Sequence, residues 1–220
     1  MNRLVCICTM LFIASVWAVS ISVSQIQILW NGKDLANWKI ISASMVDMDS
    51  VCNIKPEGVL SLAGKPIGYL ATIDTFENYK LHLEYRWPEG AVKNSNSGVL
   101  VHIASGPVDR NTWPLCFQIQ SKMSRAGDLL PMAGARFMEP LSSPPEAKTP
   151  QLERRKPESE NPVGEWNVID IVCDDGTIAC TINGVVQNRV TKCDPHAGKI
   201  GFQLEGFPYE VRNMYLTRLR

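Results

Sequence analysis

Four stretches of the chain carry, at every second position, polar side chains able to hydrogen-bond or to move protons. His82, Glu84 and Arg86 alternate with Leu81, Leu83 and Tyr85, and His102 alternates with Val101 and Ile103. Gln118 and Gln120 alternate with Phe117 and Ile119, and Gln203 and Glu205 with Phe202 and Leu204. A period of two places each polar set on one face of a β-strand. Arg212 joins them from the last such stretch. If these strands share a sheet, the nine residues form one hydrogen-bonding surface on rigid elements. Such a surface suits a sugar, because each hydroxyl both donates and accepts, and amides, carboxylates and guanidinium groups match it. The plainer reading is the solvated face of an antiparallel sheet. Glutamine and histidine in place of lysine weigh against that, since solvent faces tend to be charged.

Other chemistries find no support. The chain has no GxSxG elbow, P-loop, GxGxxG or HExxH motif. The same-face neighbours of Glu84 are His82 and Arg86, so the two-carboxylate pair of a common glycosidase is missing from that strand. Lys plus Arg is 22 and Asp plus Glu is 22. That balance calls for neither nucleic acid nor an anionic membrane, and a neutral ligand fits it.

The elements that would position these residues are strands. Further strands are expected at 58–62, 68–72, 167–173, 177–183 and 209–218, with hairpin turns at Asp175-Gly176 and Asn183-Gly184. Many short strands and no sustained helical period predict an all-β sandwich or barrel. Residues 142–163 break the pattern with five prolines and the triplet Arg154-Arg155-Lys156. A stretch of that kind is expected to be a long loop within a single domain spanning 25–220, covering one end of the polar face. The basic triplet reads as solvated loop.

Residues 1–24 read as a secretory signal peptide: Arg3, an apolar run over 4–19, then small residues with cleavage after Ser20 or Ser24. The run is short for a membrane span, so no span is expected in the mature chain. The expectation is export, to a periplasmic or extracellular location. Five cysteines remain after cleavage, an odd number, and none has the CxxC spacing of a zinc site. Cys173 and Cys180 flank the Asp175-Gly176 turn on one face, where a disulfide is open to them. Burial as small apolar side chains is the simpler reading.

Several segments, in order, resemble the 3-keto-disaccharide hydrolase domain family. They are Leu29-Trp30-Asn31-Gly32-Lys33-Asp34-Leu35 with Trp38, Asn96-Ser97-Gly98-Val99, Gly164-Glu165-Trp166-Asn167, Thr181-Ile182-Asn183-Gly184, and Gly198-Lys199-Ile200-Gly201-Phe202-Gln203 with Val211-Arg212-Asn213. The resemblance implies a concanavalin A-like jelly roll of two antiparallel sheets. It also implies cleavage of 3-keto-glycosides: the ketone acidifies the C2 proton, a base removes it, the enolate expels the C1 substituent, and water addition completes hydrolysis. On that reading His102, His82 or Glu84 is the base. Arg86, or a divalent ion held by His102 and Glu205, steadies the enolate. Glutamine amides are poor zinc ligands, so such an ion would be a hard, oxygen-preferring one. Gln118, Gln120, Gln203, Glu205 and Arg212 bind the sugar. The alternative is a non-catalytic carbohydrate-binding module using the same face. Where the family has Glu-x-Gln, this chain has Gln118-Ile119-Gln120, and an amide cannot act as a base.

Overall fold

The computed structural model describes residues 25–219 except 110, 111 and 145. The expected signal peptide lies outside the described residues. The strands are β1 (Ile26–Ile28), β2 (Trp38–Ser42), β3 (Cys52–Lys55), β4 (Val59–Leu62), β5 (Gly68–Thr72), β6 (Tyr79–Arg86), β7 (Gly98–Asp109), β8 (Trp113–Gln120), β9 (Leu129–Met132), β10 (Asn167–Asp174), β11 (Thr177–Ile182), β12 (Val185–Val190), β13 (Lys199–Leu204) and β14 (Tyr209–Arg218). They form two antiparallel sheets. The larger, of eight strands, runs β12-β11-β10-β6-β14-β4-β3 with β1 beside β14, and the smaller, of six, runs β2-β5-β13-β7-β8-β9. Among the described residues no helix is long and apolar enough to cross a membrane.

Alternation sorts the strands' side chains as expected over most of their length. Leu81, Leu83 and Tyr85 of β6 and Ile169 and Ile171 of β10 face Phe117 and Ile119 of β8 and Phe202 and Leu204 of β13 across one shared core. Burying each such aliphatic or aromatic side chain contributes about 1.5–3 kcal/mol. The turns at Asp175-Gly176 (φ 47° and 68°) and Asn183-Gly184 (φ 49° and 80°) place two consecutive residues in the left-handed region, which matches strand twist in a two-residue hairpin. Cys173 and Cys180 lie diagonally on the core face of the β10–β11 hairpin as free, buried thiols, and burial pushes the Cys173 thiol up to about 12. Strands β9 and β12 lack a strand signature in sequence. Pro131 interrupts β9, which is tolerated at the sheet edge. In β12, Val185 and Val186 are exposed while Gln187 and Asn188 are buried.

Residues 142–163 are a strap more than a free loop. Leu152 pairs with Leu129 at the edge of β9, Arg155 N donates to the Gln187 carbonyl, and Ser159 Oγ donates to the Ile182 carbonyl. Glu160 accepts hydrogen bonds from Tyr85 Oη at 2.7 Å and Trp87 Nε1 at 3.2 Å. Of the basic triplet, Arg154 and Arg155 spend their guanidinium groups on the carbonyls of Ser124 and Arg189.

Candidate functional site

The nine polar residues do not form one face. His82, Glu84, Arg86 and Arg212 stand on β6 and β14 of the larger sheet, while Gln118, Gln120 and Gln203 stand on β8 and β13 of the smaller sheet with Glu205 just beyond β13. The core separates the two outer faces. Alternation fixes the face of a strand but not the sheet it joins, and that is why the expectation of a shared surface fails.

On the larger sheet the polar groups are occupied with one another. His82 Nδ1 is 2.7 Å from Asp170 Oδ1, and its ring stacks on Tyr215 at 4.8 Å. Glu84 accepts from Arg212 Nε at 2.7 Å and Asn213 Nδ2 at 2.6 Å. Burial alone would raise its carboxyl, but these hydrogen bonds hold it below the ordinary value, which suits an anchor and not a base at neutral pH. Arg86 pairs with the buried Glu210 at 2.6 Å, and Lys55 bonds the same carboxylate. The Arg86 and Arg212 guanidinium carbons lie 4.5 and 4.0 Å from the Trp166 ring centroid.

His102 belongs to neither face. Gly201 pairs with Leu100 but Lys199 pairs with Ile103, so β7 has one residue more than β13 over this span. That is a β-bulge, and one extra residue exchanges the faces beyond it. His102 sits in it at φ 54°. Its ring turns into the core between Tyr79 and Phe117, with centroids at 6.0 and 6.4 Å, and Nδ1 donates to the Pro195 carbonyl at 3.3 Å. Burial drives its pKa down to about 4, so the ring is neutral at neutral pH. Ile103 takes the outward position instead, packing on Leu100, Cys116 and Tyr69.

The outer face of the smaller sheet does hold a cleft, of about 300 Å³. Its floor carries Gln118, Gln120 and Gln203, with Asn96 and Glu205 at one end. Leu130, Met132 and Trp113 supply apolar wall, and residues 148–151 of the strap close one side, the part of 142–163 that does cover this face. Three acids (Asp109, Asp128, Glu205) and three cations (Lys122, Arg125, Lys148) line it. The 3-keto-alpha-glucoside-1,2-lyase-like domain family matches residues 25–217. The chain belongs to this family. No curated protein matches the sequence. Among solved structures, a candidate glycosyl hydrolase from Parabacteroides distasonis superposes with a TM-score of 0.62 at 17% identity, covering 89% of this chain and 94% of that one. The carbohydrate-binding module CBM66 from Bacillus subtilis gives 0.55 at 6% identity, covering 84% and 97%. A chain from work on endo-acting O-glycanases of human gut bacteria gives 0.60 at 12%, covering 90% and 100%. At such identities the likeness is one of fold, a jelly-roll sandwich.

The family's motifs have physical roles here. Asn96 Nδ2 donates to Glu205 Oε2 at 2.6 Å, and Ser97 Oγ donates to the Gln203 carbonyl, so the Asn-Ser-Gly segment ties β7 to β13 at the cleft. Asn167 Oδ1 accepts from Asn161 N and Asn183 Nδ2, which joins the Gly-Glu-Trp-Asn motif to the Asn-Gly turn and the strap. Trp30 and Trp38 donate to the carbonyls of Gly58 and Leu29. These roles are structural, which explains how the fold is legible where the chemistry is not.

At position 118 the amide fits its surroundings better than a carboxylate would. Gln120 Oε1 is fixed as an acceptor by the backbone N–H groups of Ser121 and Lys122, each at 3.1 Å. Gln118 Nε2 donates to that oxygen at 3.1 Å and to Gln203 Oε1 at 2.8 Å. A carboxylate there would set oxygen against oxygen. Gly98 makes the room: a Cβ on it would lie 2.8 Å from Gln118 Nε2 and 2.9 Å from the Ile119 carbonyl oxygen. Gly98→Ala is therefore expected to displace the amide and to cost about 1–3 kcal/mol by overpacking, read as a lower urea midpoint. An unchanged midpoint would show that the floor is loosely packed.

The ion considered from sequence lacks its ligand pair, because His102 lies in the core and Glu205 at the cleft. Among the described residues no three His, Cys, Asp or Glu side chains gather as a metal would need. The cleft does contain a residue that sequence reading passes over. Asp128 precedes the proline-broken β9, and its partner across the ladder is Gln120, whose N–H donates to the Asp128 carbonyl at 2.9 Å. The signal available was the alternation of Asp128 and Leu130 with the core residue Leu129.

Proposed function

We propose that the chain binds a neutral carbohydrate in the cleft on the smaller sheet and cleaves glycosides of 3-keto sugars there, by proton removal next to the ketone and elimination or hydrolysis. The family places it among glycosyl hydrolase-like or carbohydrate-binding domains. The observation that carries the reading is the cleft's composition: an interlinked floor of three glutamine amides, an apolar wall, and acids and cations in equal number. Hydroxyl groups match amides, and the absence of a charge excess suits an uncharged ligand. A non-catalytic binding module is the second reading, favoured by the amide at 118. Export to the periplasm or medium is proposed on the run at 4–19 and the small residues after it.

Calorimetric titration with methyl 3-keto-glucoside and its unoxidised parent, together with release of the methyl aglycone, tests this. Saturable binding that favours the keto sugar, with release, is the expected result, and binding without release moves the chain to the second reading. Thr149 is exposed at the rim, so Thr149→Trp is expected to weaken binding at least tenfold by occlusion while the fold holds. Equal affinity in the two forms would place the sugar elsewhere.

A further inference from the structure

We propose that Asp128 is the acid–base group of this cleft, standing one strand over from the amide at 118. The proposal rests on the carbohydrate-cleaving reading above. Gln120 lies opposite Asp128 and Gln118 opposite Leu130 across β8 and β9. Asp128 is therefore the diagonal neighbour of Gln118 on one face, a separation of roughly 7–8 Å between backbones. A carboxylate on the second strand reaches the space beside an amide on the first.

The surroundings of Asp128 are those of a poised group and not of a surface ion. The residue is 1% exposed and lines the cleft. Oδ1 accepts from the Arg154 backbone N–H at 2.8 Å, and this fixes the carboxyl plane. Oδ2 has no hydrogen-bond partner among the described residues. Its nearest cation, Arg125 Nε, stands 3.4 Å away, while the same guanidinium holds Glu153 at 3.0 Å. Arg125 is partly exposed on the cleft side, so its guanidinium is shared between Asp128 and Glu153. Burial raises the carboxyl above the ordinary aspartate value, against the Arg154 N–H and the charges of Arg125 and Arg154, with Glu153 adding to the rise. The buried Cys180 thiol is the other titratable neighbour. Of the other cleft carboxylates, Glu205 is tied to Asn96.

In the reaction, Asp128 takes the proton from C2, and the C–H pair forms the C2=C3 bond as the ketone's π pair moves onto oxygen. The ketone then re-forms, the pair shifts to C1=C2, and the C1–O bond breaks with its electrons leaving on the alcohol oxygen. The proton on Asp128 completes the alcohol. Water adding across C1=C2 completes the hydrolysis, with no change of oxidation state.

The test uses the mature chain with methyl 3-keto-glucoside in deuterated water, reading exchange at C2 by NMR beside calorimetric affinity. Asp128→Asn keeps the acceptor for the Arg154 N–H, so affinity is expected within threefold of wild type and exchange at least 100-fold slower. Wild-type exchange is expected to fall as pH drops through the raised carboxyl value, and the Asn variant to lose that limb. Arg125→Gln provides a second arm that leaves Asp128 in place: removing the facing cation is expected to move the limb to higher pH. Equal exchange in the Asn variant, a limb indifferent to Arg125→Gln, a limb that disappears with Glu205→Gln instead, or wild-type binding without exchange each overturns the assignment. Absence of binding by the wild type sinks the carbohydrate reading itself, and the assignment with it.

Discussion

His102→Ala is expected to lower the free energy of unfolding by about 2–4 kcal/mol, as for large-to-small changes in a core, and to leave the carbohydrate affinity of the cleft unchanged. The ring is 1% exposed and packs edge-on to Tyr79 and Phe117. Its removal leaves a cavity between the sheets. The pH dependence gives an independent check. Burial lowers the pKa from 6.5 to about 4 in the folded state. Between those values the unfolded chain binds a proton that the folded chain does not, so stability falls as pH drops from about 6.5 towards 4. The variant lacks that component, and its stability is expected to change less than wild type's between pH 7 and pH 5 in urea titrations. A variant as stable as wild type that fails to bind sugar would return His102 to the cleft.

His102 also shows where sequence reading stops. Alternation correctly gave the core faces of β6, β8 and β13, and the Asp-Gly and Asn-Gly pairs gave the hairpin turns at 175–176 and 183–184, because these are local consequences of pleat and backbone sterics. The bulge at His102 is local too, but it depends on close approach of another strand. A Cβ on Gly198 would lie 2.5 Å from the His102 carbonyl carbon, so the glycine admits the bulged backbone, and nothing near residue 102 announces it. Sheet membership is a long-range property: His82 and Gln118 read alike in sequence and stand on opposite outer faces. The three glutamines do share a face, as expected, because β8 and β13 belong to one sheet, but the same expectation also put His82, Glu84, Arg86 and Arg212 beside them. Asp128 was not legible, since the strand that follows it, β9, is four residues long and contains proline.

The strap's inner anchor gives the other large effect. Glu160→Ala is expected to cost about 2–5 kcal/mol and to loosen residues 151–163, whereas Glu160→Gln is expected to stay within about 1 kcal/mol of wild type at neutral pH. Tyr85 and Trp87 are almost wholly buried and donate to the same Glu160 oxygen. Alanine leaves both donors without an acceptor, and each such loss costs about 1–3 kcal/mol. Glutamine keeps a carbonyl oxygen for Tyr85 and Trp87 and gives up the charge together with the longer 3.3 Å acceptor of the Ser124 N–H. Burial raises the Glu160 carboxyl above its ordinary value, even against the hydrogen bonds from Tyr85, Ser124 and Trp87. A carboxyl raised in the folded state holds its proton to higher pH than in the unfolded chain. Its contribution is therefore full below the unfolded value and is lost as pH rises through the folded one. Glu160→Gln should accordingly gain on wild type as pH rises through that window and match it in acid. Residues 148–151 of the strap wall the cleft, so the alanine variant should also bind sugar more weakly, while the glutamine variant should not. Urea titration from pH 4 to 8, with limited proteolysis to detect release of 151–163, separates the two. If glutamine proves as damaging as alanine, the charge itself holds the strap, and the neutral-acceptor account of Glu160 is wrong.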